Sequence, residues 1–262
     1  MLRALYTAST GMEAQQLNID TIAHNLANIN TAGFKQRRAQ FQDLLYQNIR
    51  AAGSANTANT DIPTGLQVGL GTRPVATAVM FSQGDFSATN NPLDLVIQGN
   101  GFFQILMPNG QLAYTRNGSF HLNKDGNLVT SEGDLLQPQI TIPPDQISVS
   151  IGADGTVSVL QAGQTDAQKV GQIELSLFPN PAGLDNMGKS LFRPTLASGQ
   201  PITGTAGENG LGTLLSGYTE QSNVSVVEEM VNMIISQRSY EANSKVITTA
   251  DQMYAQANNV VR

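Results

Sequence analysis

Apolar residues recur at every seventh position near both ends of the chain, and the long middle region lacks this repeat. The N-terminal series is Leu5, Met12, Ile19 and Leu26. The C-terminal series is Val226, Met233, Tyr240, Ile247, Tyr254 and Val261. A seven-residue repeat places one narrow apolar stripe along a helix, of the kind that a coiled-coil partner covers. We therefore expect two terminal helices that pack against each other or against other subunits, and a function in assembly rather than in a catalytic pocket.

The same stripes could instead cover a core within their own chain. Two details favour assembly. The positions three and four residues after the C-terminal stripe are largely polar: Ser236, Gln237, Asn243, Ser244, Asp251 and Asn258. The stripe is therefore too thin to stabilise a monomeric helical hairpin well, and its flanks are mostly uncharged, which suits a surface with many neighbours.

Composition excludes several classes of protein. The 262-residue chain has room for one large domain or two modest ones. Without cysteine it can form neither disulfides nor thiolate metal sites. A net charge of −6 argues against nucleic-acid binding. Charged residues make up only 13% of the chain, against roughly 25% in an ordinary soluble domain. A surface of neutral polar groups favours extensive packing, because less charge has to be desolvated.

The sequence predicts neither a membrane span nor a cleavable secretion signal. No segment reaches the 18 or so continuous apolar residues that a spanning helix needs. Arg3 could begin a signal peptide, but polar residues interrupt the place where its apolar run should follow: Gln15, Gln16, Asn18 and Asp20. If this protein leaves the cytoplasm, we expect a route that reads no cleavable signal.

The hydrophobic period divides the chain into helical and β regions. Residues 2–29 are predicted to form one helix, ended by a stop signal that includes Gly33. The following stretch from Lys35 to about Ile49 is expected to be partly helical, and residues 51–66 an extended linker. From about residue 68 the period is two, and Asp154-Gly155 lies between two alternating segments that predict a hairpin. The helical period returns from about Asn223.

The predicted fold class is therefore α+β. A discontinuous coiled-coil domain of α-helices, residues 1–45 and 215–262, holds an inserted all-β domain. The β domain is expected to span residues 67–214. Residues 46–66 form the linker between these two domains.

One segment satisfies a phosphate-loop motif. Gly183-Leu-Asp-Asn-Met-Gly-Lys-Ser190 fits the pattern GxxxxGK[ST], in which backbone N–H groups hold phosphates and the lysine reaches the outer ones. A plausible strand precedes it, but Pro194 lies where the required helix should begin. We therefore interpret the segment as a surface loop between strands.

No other motif indicates chemistry. His24 and His121 lack a ligand spacing, and Asn123-Lys-Asp-Gly126 is a hairpin turn rather than a calcium loop. We expect no catalytic residue, cofactor or metal.

Three regions of the sequence, the second of which consists of two blocks, resemble the bacterial flagellar rod and hook proteins. The first is Asn25-Leu-Ala-Asn-Ile-Asn-Thr-Ala-Gly-Phe-Lys35, which is similar to the N-terminal signature of that family. Two blocks are similar to its β domain: Asn91-Pro-Leu-Asp-Leu-Val-Ile-Gln-Gly-Asn-Gly-Phe-Phe-Gln104 and Ala113-Tyr-Thr-Arg-Asn-Gly-Ser-Phe120. The third lies between Ser222 and Asn243 and is similar to its C-terminal helix. Tyr46 to Pro63, with Thr64-Gly-Leu-Gln-Val-Gly69 after it, resembles an insertion of the distal-rod type that hook proteins lack.

This resemblance implies a structural subunit of a rigid tubular shaft. The terminal helices would surround the export channel, and the β domain would face outward. The shaft would pass torque from motor to hook. Implied partners are further copies of the chain, proximal-rod proteins, hook or hook–rod junction proteins, the surrounding P- and L-ring proteins and the flagellar type III export apparatus. Neither nucleic acid nor membrane insertion is expected. The alternatives are a proximal-rod or hook relative and, from another class, a nucleotide-binding enzyme.

Two groups of residues are predicted to carry the function. The subunit interface combines both stripes with four residues of the N-terminal signature: Asn25, Asn28, Gly33 and Phe34. A rod-stiffening segment is marked by Tyr46, Gly53, Asp61 and Pro63.

Overall fold

A long helix lies at each end of the chain, and strands fill the region between them. The computed structural model describes residues 2–53, 55–57, 60–61, 63–164 and 166–260. Helix α1 (Leu2–Ala27) has 26 residues and helix α2 (Val226–Val260) has 35. The predicted α+β class is confirmed. In the described part of the chain, neither helix is long and apolar enough to cross a membrane.

The chain divides into two compact units. The helical unit consists of the residues up to Leu26, Arg37–Ala78 and the residues from Ser225 onward. The β-rich unit consists of Ala27–Gln36 and Val79–Val224.

The helical unit also contains short strands. They are β1 (Arg37–Asp43), β2 (Tyr46–Arg50), β3 (Ala55–Thr57), β4 (Thr60–Asp61), β5 (Leu66–Gly69) and β6 (Thr72–Val79). β1 pairs with β6, β3 with β4, and β2 with β5 in antiparallel register from Tyr46↔Gly69 to Arg50↔Leu66.

The partly helical stretch predicted from Lys35 to about Ile49 is wrong, because β1 and β2 occupy it. Phe41, Leu44 and Leu45 have the three- and four-residue spacing of a helix face. Backbone pairing with β5 and β6 outweighs this weak local preference.

The β-rich unit is built on a nine-stranded sheet. The strands of this unit, some of which lie outside that sheet, are β7 (Phe86–Ala88), β8 (Leu95–Gln98), β9 (Phe102–Leu106), β10 (Leu112–Thr115), β11 (His121–Leu122), β12 (Leu128–Val129), β13 (Leu135–Gln137), β14 (Gln146–Ile151), β15 (Thr156–Gln161), β16 (Gln168–Gln172), β17 (Glu174–Leu177), β18 (Asp185–Gly188), β19 (Leu191–Arg193), β20 (Ile202–Thr205), β21 (Thr213–Ser216) and β22 (Tyr218–Glu220). The sheet order is β11-β12-β13-β9-β10-β19-β18, and β17 pairs with both β9 and β20.

Apolar residues from this sheet and its neighbours form the core of the β-rich unit. Fully buried members include Leu95, Ile97, Phe103, Ile105 and Leu175. A three-stranded sheet of β14, β15 and β16 packs into the same core. The predicted hairpin at Asp154-Gly155 is confirmed, since β14 and β15 pair on either side of it. The short pairs β8–β21 and β7–β22 join the middle of the chain to its C-terminal part.

Candidate assembly interface

Helices α1 and α2 pair in antiparallel fashion through small and polar residues. Asn18 Nδ2 donates to Ser236 Oγ at 2.8 Å, and Asn25 Nδ2 lies 3.4 Å from Glu229 Oε1. Further along, a Cβ built on Gly11 would lie 2.9 Å from Asn243 Nδ2. Each step of seven residues forward on α1 is matched by seven residues back on α2. We call these three contacts the polar seam: Gly11/Asn243, Asn18/Ser236 and Asn25/Glu229.

Asn25 joins three elements of the helical unit. Its side-chain Nδ2 donates to Arg37 O at 2.8 Å, and its Oδ1 accepts from Arg37 N at 2.9 Å. The side-chain amide therefore makes the two hydrogen bonds to the Arg37 backbone that a neighbouring strand would make. The same Nδ2 also faces Glu229 of α2. Only 1% of Asn25 is exposed, and a buried amide needs such partners because an unsatisfied one is costly.

The residues of the predicted apolar stripes remain partly or largely exposed to solvent in the single subunit. Leu5, Met12, Ile19, Leu26, Met233 and Ile247 are half-buried, whereas Val226, Tyr240 and Tyr254 are exposed. Val261 lies outside the described residues. Further exposed apolar residues follow one another on α2: Val227, Met230, Val231, Ile234 and Ile235, the first being 73% exposed. A contiguous exposed apolar patch of this kind marks an interaction surface.

Each residue that α2 buries lies three positions after a residue of its apolar stripe. Glu229, Ser236 and Ala250 are each at most 3% exposed, and Asn243 is half-buried. Our sequence interpretation treated Ser236 and Asn243 only as polar flanks and gave no role to Glu229. The signal was present, because these four residues repeat with the same period of seven as the stripe itself.

The predicted rod-stiffening segment begins with an exposed β-hairpin strand. Every residue of β2 is exposed, including Tyr46 and Ile49, and so is Leu66 on β5. Gly53 (φ 76°) and Pro63 are exposed as well, and Asp61 ends strand β4. A hydrogen bond from Tyr46 to Asp43 raises the pKa of the tyrosine. A two-stranded hairpin without a buried face is marginally stable alone, so this segment lacks a core of its own.

The end of the N-terminal signature is held inside the β-rich unit by a buried ion cluster. Lys35 Nζ lies 2.6 Å from Glu220 Oε1 of β22 and 2.7 Å from Ser82 O. Arg116 Nε lies 3.6 Å from Glu220 Oε2, and its two terminal nitrogens donate to Gly99 O and Gly101 O. Burial lowers the pKa of Lys35, and the Glu220 carboxylate opposes that shift.

Backbone contacts fix the same signature segment. Gly33 N donates to Glu220 O at 2.8 Å, and Gly33 adopts φ 70°. A Cβ at this position would lie 2.6 Å from Asn117 N, so the close approach requires glycine. Asn28, at the start of the segment, accepts from Thr31 N at 3.1 Å, and Phe34 N donates to Thr31 O at 3.2 Å.

Asn223 completes this network, and our sequence interpretation missed it. Its Oδ1 accepts from Gln36 N at 2.7 Å, and its Nδ2 donates to Met80 O at 2.9 Å and Ser82 Oγ at 2.8 Å. One side chain thus joins three segments of the β-rich unit that are far apart in sequence. Glu220 was also missed, since an isolated glutamate gives no local signal.

The phosphate-loop motif is only partly the predicted surface loop, because strand β18 occupies half of it. After a 3₁₀ turn (Pro181–Gly183), it enters β18, which pairs with β19. Lys189 Nζ lies 2.7 Å from Glu132 Oε2, and both side chains are more than half exposed. This contact raises the pKa of Lys189. The lysine and Ser190 line a cleft of about 210 Å³ together with Glu132 and Asp134. Carboxylates beside the lysine oppose phosphate binding, and β19 follows where the motif requires a helix.

The architecture defines a subunit built for assembly: a β-rich unit inserted between two terminal helices whose large apolar residues remain open. Comparisons with known proteins identify the assembly. Three family models match, described as "Flagella basal body rod protein" over residues 5–35, "Flagellar hook protein FlgE/F/G D1 domain" over 96–159 and "Flagellar basal body rod FlgEFG protein C-terminal" over 215–260.

Full-length relatives are similar over nearly the whole chain. The flagellar basal-body rod protein FlgG of Buchnera aphidicola is 50% identical over 97% of both chains, and that of Borreliella burgdorferi is 50% identical over 100% of both. The Bacillus subtilis protein of the same name is 41% identical over 100% of both. The chain belongs to the FlgG family of flagellar basal-body rod proteins, as the resemblance predicted, and is a structural subunit of the rod.

Proposed function

We propose that this chain polymerises into the distal rod as a rigid tube, which passes torque from motor to hook and encloses the export channel. One observation carries the proposal: the long helices pair through small and polar residues and leave their large apolar residues open. Ile234 and Ile235 are each more than half exposed in the subunit. Covering them with further copies would stabilise the folded chain by mass action as well as by burial.

The predicted interface residues divide between two roles in this proposal. The two stripes make contact between subunits. Asn25, Asn28, Gly33 and Phe34 act from within the subunit, where Asn25 fixes the end of α1 and Gly33 fixes the signature segment against β22.

The hairpin of β2 and β5 supplies stiffness. It exposes apolar residues on both strands, among them Tyr46, Ile49 and Leu66. Packed against adjacent subunits, it would prevent them from sliding past one another. Its resemblance to a distal-rod insertion also favours the distal rod over the hook alternative, because a hook has to bend.

The family places the chain in the basal body with other rod and hook proteins. More specifically, we assign it to the part of the rod that crosses the periplasm, with its β-rich unit facing the P- and L-ring proteins. The flagellar type III apparatus would export it without a cleavable signal. An enzymatic role is not part of this proposal, and Glu132 and Asp134 line the same cleft as the lysine of the phosphate-loop motif.

An image of the polymer tests the arrangement. The purified chain should form straight tubes, and a cryo-electron microscopy reconstruction should show α1 and α2 lining the central channel with the hairpin between neighbouring subunits. Strands lining the channel, or hairpins that touch no neighbour, would contradict the proposal.

A further inference from the structure

We propose that the polar seam fixes the register of α1 against α2, so that the apolar stripes remain aligned for neighbouring copies. The alignment for neighbouring copies rests on the proposed function, whereas the register itself is a property of the single subunit. Three pairs of residues carry the inference: Gly11/Asn243, Asn18/Ser236 and Asn25/Glu229.

The apolar stripes cannot choose a register by themselves. Both repeat every seven residues, so sliding α2 by seven positions brings one apolar residue to the place of another. A uniform apolar repeat therefore leaves several alignments similar in free energy, and helical pairs commonly use a polar residue in the seam to choose one of them.

The polar seam differs at each of its three levels. Asn243 fits beside Gly11, where a Cβ would already lie 2.9 Å from its side-chain nitrogen. A slip of seven residues would place Asn243 beside Asn18, or Ser236 beside Gly11, which has no side chain to bond it. The hydrogen bond between Asn18 and Ser236 at 2.8 Å would be lost in either direction. In the slip that brings Ser236 beside Gly11, the serine, which is only 2% exposed, would lose its partner, and an unpaired buried hydroxyl is costly.

The third level ties the register to the rest of the helical unit. Glu229 is 2% exposed and faces Asn25, whose amide is already anchored on the Arg37 backbone. A slipped α2 would remove the Glu229 carboxylate from this position. Because Asn25 holds the end of α1 against β1, the Asn25/Glu229 contact aligns α2 with a fixed end of α1.

Cysteine pairs in the full-length chain measure the register directly, because the chain contains no cysteine. The in-register pair is Asn18→Cys with Ser236→Cys, in a chain that also carries Asn243→Ala. The slipped pair is Asn18→Cys with Asn243→Cys, seven residues further along α2, in a chain that also carries Ser236→Ala. Both chains therefore lose the same two contacts of the polar seam and keep Asn25/Glu229. Each pair is oxidised in the free subunit and the intramolecular cross-link is quantified. We expect the in-register pair to form at least about tenfold faster, and similar rates for the two pairs would overturn the proposal.

Substitution of Glu229 then tests whether the polar seam causes this preference. In both cysteine backgrounds, Glu229→Leu should reduce the rate ratio about fivefold, the effect of a hydrogen bond of about 1 kcal/mol. Glu229→Gln keeps a hydrogen-bonding side chain and should retain the ratio. The exposed ion pair Arg238–Glu241 gives a matched control, because Arg238→Ala with Glu241→Ala alters α2 outside the seam. An unchanged ratio in Glu229→Leu would refute the seam as the cause. Since no tube needs to form, this result is independent of the polymerisation test.

Discussion

At the scale of single residues, the buried ion cluster shows how the N-terminal signature acts. Lys35 and Glu220 are 185 positions apart and nearly inaccessible to solvent. Burial of two charges is unfavourable by itself, and close pairing and hydrogen bonds offset it. Losing one partner is therefore worse than losing an exposed pair.

Replacing Lys35 by Met should destabilise the β-rich unit by about 3 kcal/mol, because Glu220 would stay buried with a weaker set of partners. The free energy of unfolding in urea, followed by circular dichroism, measures this change. Lys189→Ala is the control: it breaks the exposed pair with Glu132 and should cost less than about 0.5 kcal/mol. Equal effects of the two substitutions would mean that burial does not govern the strength of the Lys35 pair.

His24 of α1 should make the helical unit less stable in mild acid. Partial burial, and secondly the positive charge of Arg37, lower the pKa of His24 below 6.5. As pH falls below about 6.5, the unfolded chain binds a proton before the folded chain does, so stability declines until the lowered pKa is reached and is constant below it. His24→Gln should remove this part of the pH dependence. Thermal melting at several pH values between 7.5 and 5 tests this, and an unchanged pH dependence in the variant would contradict it.

At the scale of the elements, each long helix uses one set of residues to contact the other helix and leaves a second set accessible. The polar seam pairs α1 with α2, and the apolar stripes beside it stay accessible. Whether the pair winds into a coiled coil remains a prediction. The same period of seven serves both surfaces, offset by three positions on α2.

Ile247→Asp should abolish polymerisation while the β-rich unit stays folded. A carboxylate in the C-terminal stripe would be buried without a partner once subunits assemble, which is costly. Ile247→Leu keeps an apolar side chain of the same size and should assemble normally. Sedimentation of polymer and motility of cells carrying each variant are the measurements. Motile cells with Ile247→Asp would show that this stripe is not buried in the tube.

At the scale of the whole molecule, the exposed hairpin is a separable part of the subunit. Tyr46 and Gly69 face each other at its base, so the chain can be rejoined there without stretching. Deleting residues 47–68 should still allow polymerisation, because both stripes remain, but the tubes should be curved or flexible. Electron microscopy gives the persistence length of the tubes. A variant with Ile49→Ser and Leu66→Ser keeps the hairpin and isolates its apolar contacts. Straight, stiff tubes from the deletion variant would show that rigidity arises elsewhere.

The sequence by itself determined the helices at both ends, the β region between them and the hairpin at Asp154-Gly155. These features depend on the period of apolar residues and on turn chemistry, both of which are local. The tertiary structure alone decided that the stretch after Lys35 forms strands, that Ala27–Gln36 belongs with the β-rich unit, and that Lys35 meets Glu220. It also decided which face of each helix is paired. The physical reason is that local periodicity describes the backbone of a segment, whereas its partners are chosen by burial and hydrogen bonding between residues far apart in the chain.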